Sequence, residues 1–98
     1  MDIARVLWLP DIEDKLSEKH HVLVEEVEAV LFGAPHIRFV EKGHREGQDV
    51  YAAYGQTEAG RYLIVLFVLK SPREVLILSA RDMDGKERKL HGRRKGKS

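Results

Sequence analysis

Arg81, Glu87 and Arg88 have the residue types and spacing for work on a phosphate. Arginine carries a planar fork that stays charged at neutral pH and holds two phosphate oxygens at once. Five histidines, His20, His21, His36, His44 and His91, supply candidate proton shuttles near neutral pH. Lys19 precedes His20, and a lysine in that position stabilises negative charge or lowers a neighbour's pKa. Each feature also has a plain structural reading. Arg81 and Glu87 can form an ion pair that pins a helix to a strand, Lys19 and His20 can offset the dipole at a helix C-terminus, and His91 can belong to a basic tail.

Other chemistries lack their signatures. There is no cysteine, so neither a disulfide framework nor a thiolate zinc site is available. No His-x-x-x-His helix or suitably spaced carboxylate cluster is present, and the expectation is no metal and no cofactor. P-loop, Gly-x-Gly-x-x-Gly and Gly-x-Ser-x-Gly motifs are missing, which disfavours nucleotide-binding and acyl-transfer enzymes. No apolar run reaches the length of about 18 residues that a membrane helix needs, and the N-terminal stretch lacks the long apolar region of a signal peptide. A cytoplasmic location is the simple expectation.

The formal net charge of +1 hides an asymmetry. Residues 86–98 carry seven basic side chains and one acid, leaving ten basic and fifteen acidic side chains elsewhere. An acidic body with a basic end points to a polyanionic or acidic partner for that end, or to a solvated tail.

The elements that must position these residues follow from periodicity. The 98 residues suffice for one domain, expected over 1–92 and followed by a basic, disordered tail over 93–98. Val6 to Leu9 form a short apolar run ended by Pro10, a brief strand or packed arm. Asp11 is placed to cap a helix carrying Ile12 and Leu16, and after a break near His21 a second helix carries Val24, Val27 and Leu31. Gly33 and Pro35 are its stop signals. The period then changes to that of strands, at 36–40, 49–57, 61–69 and 74–80. Glu58-Ala59-Gly60 is a hairpin loop with Gly60 at positive φ, and the nearly unbroken apolar run from Tyr62 to Leu69 marks a central strand covered on both faces. Asp84-Gly85-Lys86-Glu87 is an acid-x-x-Glu helix start, so a short helix should run to about Gly92. The expected fold is α+β: two short N-terminal helices packed on a four-stranded antiparallel sheet, with a short C-terminal helix.

Three segments carry a family resemblance. Lys19-His20 ends a first helix, Tyr51-x-x-Tyr54-Gly55-x-Thr57-x-x-Gly60-Arg61 forms a central hairpin, and Leu78-Ser79-Ala80-Arg81 is followed by Glu87-Arg88. In this order they resemble the BrnT-type toxins of bacterial type II toxin–antitoxin pairs, over about residues 8–91. Two positions depart from the family pattern. Trp8 is followed by Leu9-Pro10-Asp11 rather than directly by acids, and His91 stands where many members have tyrosine.

The resemblance implies a fold similar to that of RelE-type ribonuclease toxins, RNA cleavage without a metal, inhibition of translation, and neutralisation by a cognate antitoxin that alone contacts DNA. Such cleavage requires the 2′-hydroxyl to lose a proton, the charged phosphorane to be stabilised and the leaving oxygen to gain a proton. Read on those terms, Arg81 and Arg88 are the phosphate clamp, His20 and His91 the proton carriers, and Lys19 a further stabiliser of charge. Glu87 orients Arg81, while Arg45, Arg61 and Lys89 are candidate contacts to the RNA backbone. Tyr51 and Tyr54 must lie on opposite faces of their strand, so at most one of them can meet a base on a given face. The alternative from another class is a non-catalytic toxin-fold module that binds RNA or an antitoxin-like regulator. A third is a small structural domain whose basic tail binds an acidic chain.

Overall fold

The computed structural model describes residues 2–45 and 48–96, with the side chains of 93–96 excepted. Its centre is a five-stranded mixed sheet. The strands are β1 (Arg5–Leu7), β2 (His36–Glu41), β3 (Val50–Gln56), β4 (Tyr62–Ser71) and β5 (Glu74–Asp82), in the spatial order β1-β5-β4-β3-β2. The meander from β2 to β5 is antiparallel, as the short connections require. β4 lies at the centre of the sheet as expected, but only one of its faces is covered by the N-terminal helices; on the other, Ile64 and Leu66 line a groove.

The expected four-stranded antiparallel sheet is therefore corrected. The run before Pro10 adds a fifth strand, β1, which pairs in parallel with the start of β5. Arg5 aligns with Glu74 and Leu7 with Leu76, and an Arg5–Glu74 ion pair of 3.2 Å closes the alignment. Pro10 ends the strand because it has no N–H for the ladder. The rest of β5, from Ile77 onward, keeps an edge without a strand partner.

Four helical segments follow from the sequence: α1 (Ile12–Lys15), a π-helical turn α2 (Leu16–His20), α3 (Val24–Phe32) and α4 (Gly85–Gly96). Asp11 makes no side-chain capping bond, contrary to expectation; its backbone carbonyl instead accepts from the Lys15 N–H. The break falls at His21, which adopts a left-handed conformation (φ 53°, ψ 39°), and Val22 N–H bonds back to the Leu16 carbonyl. α3 is opened by the Glu26 carboxylate, which accepts the Leu23 N–H at 3.0 Å. The hairpin between β3 and β4 turns at Gly60, whose φ is +95°. α4 runs four residues past its expected end near Gly92, and its first turn carries the anticipated capping box: Glu87 N–H to Asp84 and Asp84 N–H to Glu87, each 2.8 Å.

Burial divides the sheet into two faces. On one, Leu16, Val22, Val27, Val30 and Leu31 of the N-terminal helices and the link between them pack on Ala53, Leu63, Val65, Phe67, Val75 and Ile77. Full burial of each larger side chain contributes about 1.5–3 kcal/mol. Gly55 lies under α3, where a Cβ would come within 2.9 Å of Val30 Cγ1, so the absent side chain sets how closely the helix can approach. The other face holds a smaller cluster, Ala52, Ile64 and Met83 with Tyr54, Tyr62 and Leu66.

Arg61 ties the helices to the sheet. Its Nε and Nη2 grip the Asp82 carboxylate at 2.7 and 3.1 Å. Nη2 also donates to the His20 carbonyl, while Nη1 donates to the His21 carbonyl and to Glu26. These bonds join the start of β4, the end of β5, the π-helical turn and the first turn of α3. They also occupy the whole donor fork, so the expected contact between Arg61 and RNA backbone has no N–H left to make it. Replacement of Arg61 by Ala should lower stability by about 2 kcal/mol, since it strands two carboxylates and two helix-end carbonyls. Urea unfolding checks this, and an unchanged midpoint would remove the staple from the account.

Candidate functional site

Strand register builds the open face as two cross-strand rows. One runs Arg38–Ala52–Leu66–Ser79 and the other His36–Tyr54–Ile64–Arg81. Side chains directly opposite in such rows have Cβ atoms about 4.5–5.5 Å apart. A register shift between Leu66 and Phe67 lets Ser79 and Arg81 fall on this face while Ile77 and Ala80 stay in the helix-side core. The rows line a groove of about 350 Å³ whose floor includes Ala52, Ile64 and Leu66. Arg38 and Arg81 lie on opposite sides of it, and His20 reaches it at the free edge of β5.

α4 covers the end of the same face. The Arg88 guanidinium carbon sits 4.8 Å from the centroid of the Tyr62 ring, and the His91 ring meets that tyrosine edge-on at 6.0 Å. Cation–π contact of this kind holds a charged group in place without neutralising it. Glu87, Leu90 and His91 meet Arg38 and Tyr54 along the seam. At the base of the helix, Arg81 forms a bidentate bond to Glu87, at 2.9 and 3.0 Å, and its Nη1 also donates to the Asp82 carbonyl. The Arg81 side chain is 47% exposed and Glu87 21%, so the acid is held beneath an arginine that still faces solvent.

The sequence-derived candidates separate into groups. Arg81, Glu87, Arg88 and His91 meet at the junction of β5 and α4. His20 joins them across the groove, and Lys19, its exposed neighbour, lies on the same π-helical turn. Lys89 is exposed on α4. Arg45 is exposed in the loop after β2, beside Glu46 and Gly47, which lie outside the described residues. Arg61 faces away into its own hydrogen bonds. Tyr51 stacks on Phe67 at the helix side, whereas Tyr54 lines the groove. Sequence reasoning gave no role to Arg38, and to Ser79 only a place in the Leu78-Ser79-Ala80-Arg81 strand end. The alternation of His36-Ile37-Arg38 puts Arg38 on the same face as His36, but only register across four strands brings it opposite Ser79.

Electrostatics follow the two arginine forks. Hydrogen bonding from Arg61 is the main cause that holds the Asp82 carboxyl below its ordinary pKa, and burial opposes it. The fork of Arg81 does the same for Glu87, again against burial. A carboxyl with a depressed folded-state pKa stabilises the fold above its unfolded pKa, and that stabilisation is lost as pH falls through the folded value. Wild type should therefore be more stable than Glu87→Gln at pH 7, with the gap closing below about pH 4. Thermal unfolding across that range checks this; a gap independent of pH would show that the ion pair contributes nothing.

Comparisons with known proteins bear on the fold and the family. No curated protein sequence matches the chain. Among solved structures, the crystal structure of the Brucella abortus ribonuclease toxin, BrnT, is similar at 13% identity with a TM-score of 0.59. The match covers 82% of this chain and 96% of that one, and supports the fold. Residues 8–87 match the family described as the ribonuclease toxin, BrnT, of type II toxin–antitoxin systems. They span the π-helical turn, the hairpin, the open face and Glu87. The chain belongs to the BrnT ribonuclease toxin family of type II toxin–antitoxin systems.

Proposed function

We propose that this chain cleaves RNA by attack of a 2′-hydroxyl on the adjacent phosphate, without a metal, and so inhibits translation. The observation that carries the reading is Arg81, fixed by Glu87 at the rim of a groove but half exposed to solvent. A preorganised cation there stabilises the extra negative charge of the phosphorane with little reorganisation. Arg88, held over Tyr62, is the second cation of the clamp. His20 lines the groove with Arg81, and His91 lies on α4 against Tyr62; in this reading they serve as the base and the acid. Lys19 adds positive charge beside His20, and Lys89 and Arg45 guide the backbone of the RNA.

Family membership implies an antitoxin partner. In this reading a cognate antitoxin covers the basic junction with acidic side chains, and DNA is met only through that partner. Among the described residues no helix is long and apolar enough to cross a membrane, and the proposed place of action is the cytoplasm. The non-catalytic module draws on one observation of its own: both Nη groups of Arg81 already bond to Glu87, as in a purely structural pair.

Purified protein with RNA and excess EDTA separates the two. The proposal expects cut products ending in 2′,3′-cyclic phosphates, slowed roughly 100- to 1,000-fold by Arg81→Ala. RNA that is bound but left intact by the folded wild-type protein would favour the non-catalytic module.

A further inference from the structure

The groove beside Arg81 is larger and more apolar than a phosphate requires. Its floor includes Ala52, which is 2% exposed, has only a methyl side chain and stands between Arg38 and Leu66 in its row. Tyr54 is next on the same face of β3 and forms a flat wall. Ile64 and Leu66 complete an apolar bed, and Ser79 brings a hydroxyl to its side. The two flanking cations rise from β2 and β5, three strand spacings or about 14 Å apart. Among the described residues the Arg38 guanidinium has no hydrogen bond or ion pair, so its fork is unused.

An apolar bed, a flat aromatic wall at Tyr54, the hydroxyls of Tyr54 and Ser79 and a cation on each side make an unusual combination. An antitoxin's acidic side chains would suit Arg38 and Arg81 but leave the bed empty. A nucleotide uses all of it: base faces are apolar and stack on aromatic rings, base edges take hydrogen bonds, and the flanking phosphates meet the cations. The volume lies at the lower end of the range for small-molecule sites, about 300–1,000 Å³, which suits one unit of a chain rather than a stacked run.

We infer that this groove is a specificity slot for one unstacked base of single-stranded RNA. The base lies over Ala52 against Tyr54, Ser79 reads its edge, and Arg38 holds a phosphate on the side away from Arg81. The inference rests on the proposed nuclease reading for its substrate, and it assigns Arg38, Ala52, Tyr54 and Ser79 to binding and selection rather than to bond breaking.

The test uses the full chain and short fluorescent 2′-O-methyl RNAs of each base, which lack the attacking hydroxyl, together with a sugar-phosphate strand of equal length without bases. Wild type should bind at least one base-containing strand about tenfold more tightly than the baseless strand. Ala52→Leu, which puts a larger side chain on the groove floor, should remove that advantage while leaving affinity for the baseless strand unchanged. Tyr54→Leu should weaken base-dependent binding, and Ser79→Ala, nearly neutral in size, should change the ranking of the four bases. If Ala52→Leu does not fold, the Tyr54 and Ser79 variants decide the question. Equal affinity of wild type for strands with and without bases overturns the slot, as does a base preference untouched in every folded variant. So does a result in which the folded variants lose only a protein partner and keep RNA binding. Cleavage of natural RNA without base-dependent binding would sink the slot and leave the nuclease standing; base-dependent binding without cleavage would do the reverse.

Discussion

The end of β5 is gripped from both faces, and the geometry of the site depends on that grip. Asp82 and Arg81 are adjacent, so strand alternation sends them to opposite sides of the sheet. On the helix side, Arg61 holds Asp82 and binds it to the end of the π-helical turn and the start of α3. On the open side, Arg81 holds Glu87 and fixes the direction in which α4 leaves the sheet. Two bidentate arginine–carboxylate forks thus meet at consecutive residues. Their planar geometry specifies orientation as well as distance, which a lysine would not. Through the first fork His20 is brought to the free edge of β5; through the second, Arg88 and His91 are brought over Tyr62.

The open face follows from what the helices leave uncovered. The N-terminal helices bury one side of the sheet, and Gly55 lets α3 settle closely against it. α4 takes only the Tyr62 end of the other side. Between α4 and the bulged edge strand β2, Ala52 supplies too little side chain to fill the space, and a groove remains with cations at its margins. In the proposed reading, RNA chemistry on that surface requires little more than positioned charge and two proton carriers, which is within the means of a chain of this size.

Features set by local signals are legible in the chain, and those set by non-local pairing are not. The four meander strands, the stop at Gly33, positive φ at Gly60 and the Asp84–Glu87 capping box each depend on a few neighbouring residues. So does the opposition of Tyr51 and Tyr54. β1 is different: three residues pair in parallel with a strand some 69 positions away, and no short-range pattern records that pairing. Arg61 has the appearance of an isolated basic residue after a turn, because its acceptors come from three other parts of the chain. The alternation of β2 gives the face of Arg38, but its place opposite Ser79 needs three successive registers, two of them in strand pairs that carry a register shift.

In the proposed reading RNA meets the β5–α4 junction and the open face, while the helix-covered face is scaffold. Hydrogen exchange on the full chain, with and without a cleavage-resistant single-stranded RNA, addresses it directly. The account predicts slower exchange in the C-terminal half of β5, the first turns of α4 and the facing part of β2, with little change in α3. Protection concentrated on α1 and α3, with the junction unaffected, would contradict it.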